Sequence, residues 1–446
     1  MTDDIQREME AITDLSLEEA LGLALQLHRE KAHEGAEALY RRIIEVAPDM
    51  ADACHFLGVL CHERGRSAEG VALIARAIEL VPDFPGFYNN LGNIHVQCGQ
   101  LAEATACYGR AIELAPDDAN LHNNYGALLK AEGRFEEAAA SFRHAIALDS
   151  QNARAYNNMG LLYAAQGQTA EAIHYYCQSI SRIPGHPEAH KLLGLTYYSL
   201  GRHEEAAEVF RQWVEVAPDH PVARHLHAAC SGQGVPERAA DDYLEYTFDR
   251  FASSFEEQLN LKLSYQAPQL CAAALSRQVG ARRGLSLLDA GCGTGLCGPL
   301  VAPMCGRLAG VDLSGGMLEL AANKGVYTEL EKAELTEFLL GQDGVWDVIM
   351  SADTLCYFGD LRRVVMAAAG ALKAEGVLVF TVERADDGDA PEGFRINPHG
   401  RYSHTCGHVE EVIRAAGLDL LEAGEDTLRT EGGKPVLGLV VVARKP

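Results

Sequence analysis

A period of 34 residues governs the first half of this 446-residue chain. Pro48, Pro82 and Pro116 stand 34 apart, and after Ser150 the series resumes at Pro184 and Pro218. Gly58, Gly92, Gly126, Gly160 and Gly194 keep the same spacing, as do Gly65, Gly99, Gly133, Gly167 and Gly201, and Ala104, Ala138, Ala172 and Ala206. Between these marks each unit reads as two helices, for example NLGNIHVQCG followed by LAEATACYGRAIELAP. The first glycine lets the paired helices approach, the second supplies the turn, and the proline closes the second helix. One such pair cannot bury its own apolar face, so the units must stack into an α-solenoid.

These marks resemble the tetratricopeptide repeat (TPR), and the resemblance covers residues 17–218 as about six units. It implies a right-handed superhelix with a concave groove. The first unit carries Ala24 where the others have glycine and reads as a cap, with residues 1–16 as an N-terminal tail. A second periodic feature is the paired amides Asn89-Asn90, Asn123-Asn124 and Asn157-Asn158, in YNNLG, HNNYG and YNNMG. Side-chain amides both donate and accept, so a ladder of them can grip an extended peptide without reading its sequence. The pattern is similar to the asparagine ladder of O-linked N-acetylglucosamine transferase, which implies a protein or peptide partner. The competing reading is that the amides satisfy contacts between helices.

The formal net charge is -25, and both halves are acidic. Neutralising phosphates needs a basic face, so nucleic acid is an unfavoured partner. No run of 18 apolar residues occurs, and MTDDIQREME is too polar for a signal peptide. The 12 cysteines lie scattered without a CxxC pair, as reduced thiols used in cores do. Together these features place the expectation on a soluble, cytoplasmic protein.

After Pro218 the period frays, and SGQGVPE (231–237) marks a boundary, so 219–237 reads as a capping helix and linker. From 238 to 446 a second domain is expected, able to fold alone. It opens on the helical DDYLEYTFDRFASSFEEQL. Beyond residue 285 short apolar runs, LSLLDA, RLAGVD, WDVIMS, GVLVFTV and VLGLVVVA, alternate with helical stretches. That alternation predicts an open, mostly parallel sheet covered by helices.

The loop after the first of these runs is DAGCGTGLCG, Asp289 to Gly298, and a second acid, Asp312 in GVDLSGGML, closes the next run. Glycines there bring backbone N–H groups close to a ligand, and an acid about 20 residues on can accept ribose hydroxyls. Nicotinamide enzymes use GxGxxG, whereas the spacing here is GxGxG. LLDAGCGTG resembles motif I of class I S-adenosylmethionine (SAM)-dependent methyltransferases, and VDLS resembles the acid that follows it. The resemblance implies a Rossmann-like fold with SAM as cofactor and S-adenosylhomocysteine as product. It assigns Asp289 near the SAM amino group, Gly291, Cys292, Gly293 and Gly295 around the methionine part and ribose, and Asp312 to the ribose. Leu313 and Met317 then lie against the adenine, and Glu334-Leu335 at its edge, although Asp is the commoner acid at that position. The whole C-terminal block resembles a bacterial family of TPR-containing methyltransferases and the methyltransferases of the Williams–Beuren region.

SADTLCYFGDL (351–361) falls where this fold places the residues facing the methyl group, and it is not the D/N-P-P-Y/F of enzymes that methylate exocyclic amines. Candidates for contact with the acceptor are Asp353 and Tyr357, together with Tyr402 and His404 in GRYSHT. The same GRYSHT also reads as a helix start capped by Ser403 or Thr405, and Ser314 as another cap. Residues 384–408 form a long connection of the kind that often serves as a lid. Tyr265 and Phe255 either close over the cofactor or pack in the core. Cys292 with Cys297, and His399, His404, Cys406 and His408, have no standard metal-ligand spacing, so no metal is expected. Three functions remain open: a methyltransferase fed a protein or peptide by its repeats, a small-molecule or glycan methyltransferase whose repeats serve assembly, and an adaptor with an idle SAM-binding domain.

Overall fold

The computed structural model describes residues 16–262, 264–431 and 433–446, and of residues 251 and 253–262 it describes the backbone alone. The expected tail thus lies, but for Ser16, outside the described residues, as does the Phe255 side chain. The chain forms two compact units, Met1–Ala189 and His190–Pro446. Among the described residues no helix is long and apolar enough to cross a membrane.

The first unit is a run of antiparallel helix pairs. In order they are α1 (Leu17–Arg29), α2 (His33–Val46), α3 (Ala51–Glu63), α4 (Ser67–Leu80) and α5 (Pro85–Gln97). There follow α6 (Leu101–Leu114), α7 (Ala119–Ala131), α8 (Phe135–Leu148), α9 (Ala153–Ala165) and α10 (Thr169–Arg182). Ser16 starts the array with a capping box, accepting from Glu19 N while its own N–H reaches the Glu19 carboxylate. The two periodic glycines act as their spacing predicts. A Cβ on Gly126 would sit 2.7 Å from the Phe142 ring, so only glycine lets α7 close on α8. Gly133 adopts φ +75 in the turn between them, a conformation that costs other residues energy.

The paired asparagines bond to one another across repeats. The Asn158 amide donates to Asn123 Oδ1 at 2.9 Å, Asn123 to Asn124 at 3.5 Å and Asn124 to Asn89 at 2.9 Å. Asn89 then donates to Asn90 at 3.2 Å, and Asn90 to the buried His55 Nε2 at 2.8 Å. These five bonds form one chain with a single direction. Asn123 and Asn157 are buried, and Asn90, Asn124 and Asn158 are half-buried. Replacing Asn90, Asn124 and Asn158 together by Ala cuts the three bonds between repeats. At roughly 0.5–1.5 kcal/mol per net bond the array is expected to lose about 2–4 kcal/mol. Urea melts of the triple variant check this, and an unchanged midpoint would contradict it.

The second unit begins with α11 (Pro187–Ser199), most of which belongs to it, then α12 (His203–Val216), α13 (Pro221–Ser231), α14 (Asp241–Lys262) and α15 (Ala267–Val279). An α/β core follows: β1 (Leu285–Ala290), α16 (Gly298–Val301), β2 (Cys305–Asp312), α17 (Gly315–Ala322), β3 (Glu329–Lys332), α18 (Leu335–Leu340), β4 (Trp346–Ser351), α19 (Arg362–Ala371) and β5 (Leu372–Arg384). Last come β6 (Phe394–Ile396), β7 (Tyr402–His404), α20 (Cys406–Ala415), β8 (Asp419–Glu431) and β9 (Lys434–Arg444). Strands β3-β2-β1-β4-β5 lie parallel in that order. Strand β9 pairs antiparallel to β5 and carries β8 at the edge, while β7 pairs with the end of β5. Alternate residues bury both faces: Leu288, Val311, Ile349 and Phe380 on one, Leu287, Leu308, Val348 and Val379 on the other. Burial on both faces explains why these strands read as continuous apolar runs.

The compact boundary falls well before residues 231–237. Phe210, Trp213, Val222, Ala223 and Leu226, from α12 and α13, share one apolar cluster with Ala239, Tyr243 and Leu244. The intervening segment is stitched to the α/β core: Gly359 N donates to Glu237 O at 2.8 Å, Ala239 N to Tyr357 O at 2.8 Å, and Tyr402 Oη to Pro236 O at 2.6 Å. His225 on α13 lies 2.8 Å from Gly400 O and stacks on Tyr243 with ring centroids 3.9 Å apart.

Candidate functional site

A cavity of about 210 Å³ opens at the carboxyl ends of β1, β2 and β4. Ligands of open α/β sheets bind at such ends, where the strand order reverses. At one end the loop after β1 supplies Gly291, Cys292, Gly293 and Thr294. Gly291 has φ +75, and a Cβ there would collide with Thr354, whose hydroxyl donates to Gly291 O at 3.1 Å. The loop backbone is thereby latched to the segment after β4 and faces the cavity without side chains at its glycines.

Asp312 ends β2 at the wall of this cavity. Gly293 N donates to its Oδ2 and Ser314 N to its Oδ1, each at 2.9 Å. Burial pushes its carboxyl up, against the lowering effect of these N–H groups. Each oxygen keeps a second lone pair for a ligand hydroxyl. Leu313, Met317, Glu334 and Leu335 line the same end. Ser314 caps α17 by accepting from Met317 N at 3.1 Å and is itself held by Asp249 at 2.6 Å. Glu334 caps α18, accepting from Glu337 N at 2.8 Å.

The cavity wall also combines Tyr265, Tyr357 and Phe358 with Asp353, Arg401, Arg429 and Glu431. Asp353 sits at φ +57, a region that Asp tolerates better than most residues. Both of its carboxylate oxygens accept from Arg429 Nη1, at 2.7 and 2.8 Å. Arg429 also donates to Glu383 and, at 2.7 Å, to Glu431. Arg401 bonds the same two glutamates at 2.6 Å each. Although burial pushes Glu383 up, Arg401 and Arg429 hold it below its usual range, and they hold Glu431 at about 2 in the same way.

Four of the sequence-expected residues lie away from the cavity wall. Asp289 is fully buried behind the loop, where Tyr327 Oη donates to its Oδ2 at 2.6 Å. Burial pushes its carboxyl up to about 7 against the Tyr327 hydroxyl, and the Oδ1 atom is buried without a partner. Gly295 packs on Tyr327 and Ala321. Tyr402 and His404 do not reach an acceptor: both are fully buried on β7, with Tyr402 bonded to Pro236 O and His404 Nε2 2.9 Å from Gly359 O. Strand pairing with β5 turns these side chains into the core, and it is Thr405 that caps the next helix, α20, accepting from His408 N at 3.2 Å. The wall also holds residues that sequence reasoning passed over: Arg238, Phe248, Thr354, Arg401, Arg429 and Glu431. Thr354 lies within SADTLCYFGDL, Arg401 within GRYSHT and Phe248 within DDYLEYTFDRFASSFEEQL, whereas Arg238, Arg429 and Glu431 fall in no motif.

The residues fit the cofactor that the loop implies. Gly291 and Gly293 present bare backbone, Asp312 is pre-oriented by two N–H groups, and Leu313, Met317 and Leu335 offer apolar contact for a flat base. Among the described residues no group of three or more His, Cys, Asp or Glu could hold a metal ion.

Comparison with known proteins agrees. Residues 288–380 match the family described as "Methyltransferase domain". Residues 92–133 and 126–167 match "TPR repeat", and residues 20–85 and 157–221 match "Tetratricopeptide repeat". The chain is 33% identical over 128 residues to "Methyltransferase-like protein 27" of Homo sapiens, a match covering 28% of this chain and 51% of that one. It is 25% identical over 148 residues to a "Ubiquinone biosynthesis O-methyltransferase" of Pasteurella multocida, covering 30% and 61%. These matches span little more than half of each relative. Among solved structures, the type IV pilus biogenesis factor PilW aligns with 46% of this chain and 94% of its own, at 19% identity and a TM-score of 0.41. By the family matches the chain carries TPR repeats within residues 20–221, followed by a methyltransferase domain at residues 288–380.

Proposed function

We propose that this chain is a SAM-dependent methyltransferase whose TPR array recruits a protein or peptide as partner or substrate. The observation that carries the cofactor reading is Asp312, held by Gly293 N and Ser314 N beside a bare glycine backbone. When bound, SAM supplies a methyl group on a sulfonium, open to direct displacement. In this reading Gly291, Cys292 and Gly293 orient the methionine part, Asp312 the ribose, and Leu313, Met317, Glu334 and Leu335 the adenine.

Neither acceptor-side candidate is free to take a proton. Both Asp353 oxygens are taken by Arg429, and burial pushes the Tyr357 hydroxyl well above its usual range. The chain's contribution is then chiefly positioning, which can supply much of the rate in a displacement, together with exclusion of water by Tyr265, Tyr357 and Phe358. For recruitment, the half-buried Asn90, Asn124 and Asn158 each retain a second amide hydrogen after bonding to the neighbouring repeat. Asn89 and Asn123 support Asn90 and Asn124 by donating to them, while the buried Asn157 Oδ1 has no partner among the described residues.

Asp312→Ala tests the cofactor reading. It leaves the ribose hydroxyls facing a wall without an acceptor, at a cost of about 1–3 kcal/mol in SAM affinity. Isothermal titration calorimetry reads this as a loss of about five- to 150-fold. Unchanged SAM binding in the variant, or tight NAD binding by the parent protein, would refute the assignment. The recruitment reading is tested by capture of lysate proteins labelled from isotopic SAM: at a temperature where circular dichroism shows its array still folded, the Asn90, Asn124 and Asn158 triple variant is expected to lose the label, and label retained by the folded variant would refute the reading.

A further inference from the structure

The ion cluster that Asp353, Arg401, Arg429 and Glu431 bring to the cavity wall is not neutral. Three carboxylates, Asp353, Glu383 and Glu431, meet two guanidiniums, Arg401 and Arg429. His399 stands 3.8 Å from Glu383 but adds no positive charge at neutral pH, because burial, reinforced by Arg401, depresses it to about 4. The cluster thus carries one net negative charge. Both guanidiniums converge on a single oxygen of Glu431, its Oε1. Its Oε2 has no partner among the described residues, and Glu431 lines the cavity. The rest of the wall does not compensate. The one further cation lining it, Arg238, stands 3.8 Å from Glu334 and bonds Asp241 at 2.7 Å, which leaves Asp312 without a cationic partner among the described residues.

We propose that Glu431 makes this cavity select a cationic ligand over a neutral one of the same shape, and so the sulfonium of SAM over the thioether of S-adenosylhomocysteine. The proposal rests on the cofactor reading above. The two ligands share their adenosine, amino and carboxylate groups, so contacts to those parts cancel in the comparison. What differs is one positive charge, which an unbalanced carboxylate in a partly desolvated site attracts more strongly than it would in water. Methyl transfer removes that charge from the ligand: the acceptor lone pair takes the methyl group and the sulfur keeps the bonding pair. The attraction therefore ends with the reaction, and release of the product is eased.

Calorimetry of the full chain with SAM and with S-adenosylhomocysteine tests this in the parent protein, in Glu431→Gln and in Asp353→Asn. Glutamine keeps an oxygen for both arginines while the surplus charge disappears. Glu431→Gln is expected to weaken SAM about five- to tenfold and the thioether less than twofold, a differential typical of one partly screened charge pair. Asp353→Asn removes a second cavity-facing charge, shifts the ratio in the same direction, and serves if the first variant does not fold. Arg401→Lys, which conserves charge, leaves the ratio within twofold of the parent value. Equal losses for both ligands, or none, overturn the proposal while the cofactor reading stands. A parent protein that binds neither ligand overturns both.

Discussion

Residues 238–446 expressed alone are expected to fail as a folded, ligand-binding fragment, whereas residues 187–446 succeed. Deleting the segment before 238 removes Phe210, Trp213 and Leu226 from the cluster that buries Tyr243 and Leu244. Re-exposing two large side chains costs roughly 1.5–3 kcal/mol each. The Tyr402 hydroxyl and Gly359 N–H lose Pro236 O and Glu237 O, at about 1–3 kcal/mol for each buried group left unpaired. The total approaches the roughly 5–15 kcal/mol that holds a typical domain together. Thermal melts with and without S-adenosylhomocysteine read the outcome. A cooperative melt of 238–446 with the same ligand-dependent shift as 187–446 would contradict it.

Arg429→Met is expected to be the most damaging single substitution in the second unit. The guanidinium is almost wholly buried and bonds Asp353, Glu383 and Glu431. Without it, Asp353 loses its cationic partner, and Glu383 and Glu431 share Arg401 alone. Breaking a buried network by removing one partner costs about 3–5 kcal/mol. The sign of the pH dependence follows. In the parent, Glu383 and Glu431 are held below their usual range, so their contribution is present at neutral pH and is lost only as pH falls toward about 2 for Glu431. In the variant these carboxylates repel one another and their pKa values rise, so acid relieves the strain. Urea melts at pH 7 and pH 5 should show the deficit shrinking at the lower pH, and a deficit that grows in acid would exclude this account.

What was legible in the sequence was legible for physical reasons. The 34-residue marks repeat because each helix pair needs the same close approach, as at Gly126 against Phe142, and the same left-handed turn. The central strands announced themselves because burial on both faces demands unbroken apolar runs. Strand β3, ELEK, and the edge strand β8, DLLEAGEDTLRTE, carry no such run and left no signal. The connection 384–408 reads as a lid from its length, yet it contains β6 and β7, whose pairing decides where Tyr402 and His404 point. Asp312 and its glycine loop are a local motif. The ion cluster is not local: Asp353 follows β4, Glu383 lies on β5, Arg401 precedes β7, and Arg429 and Glu431 share β8, so only the folded sheet brings them together.

The amide chain of the array sets a rule for how the array can grow. Every link runs in the same direction, from Asn158 through Asn123, Asn124, Asn89 and Asn90 to His55. A duplicated 34-residue unit carrying its own Asn pair, spliced anywhere between these residues, receives a donor on one side and an acceptor on the other. The frame of the bonds is preserved whatever the copy number. Outside that stretch the rule lapses, because Phe56 and Leu192 occupy the positions one period beyond Asn90 and Asn158 and can neither donate nor accept. Those two apolar residues act as terminators. Whole units gained or lost between these two positions therefore leave the amide chain unbroken.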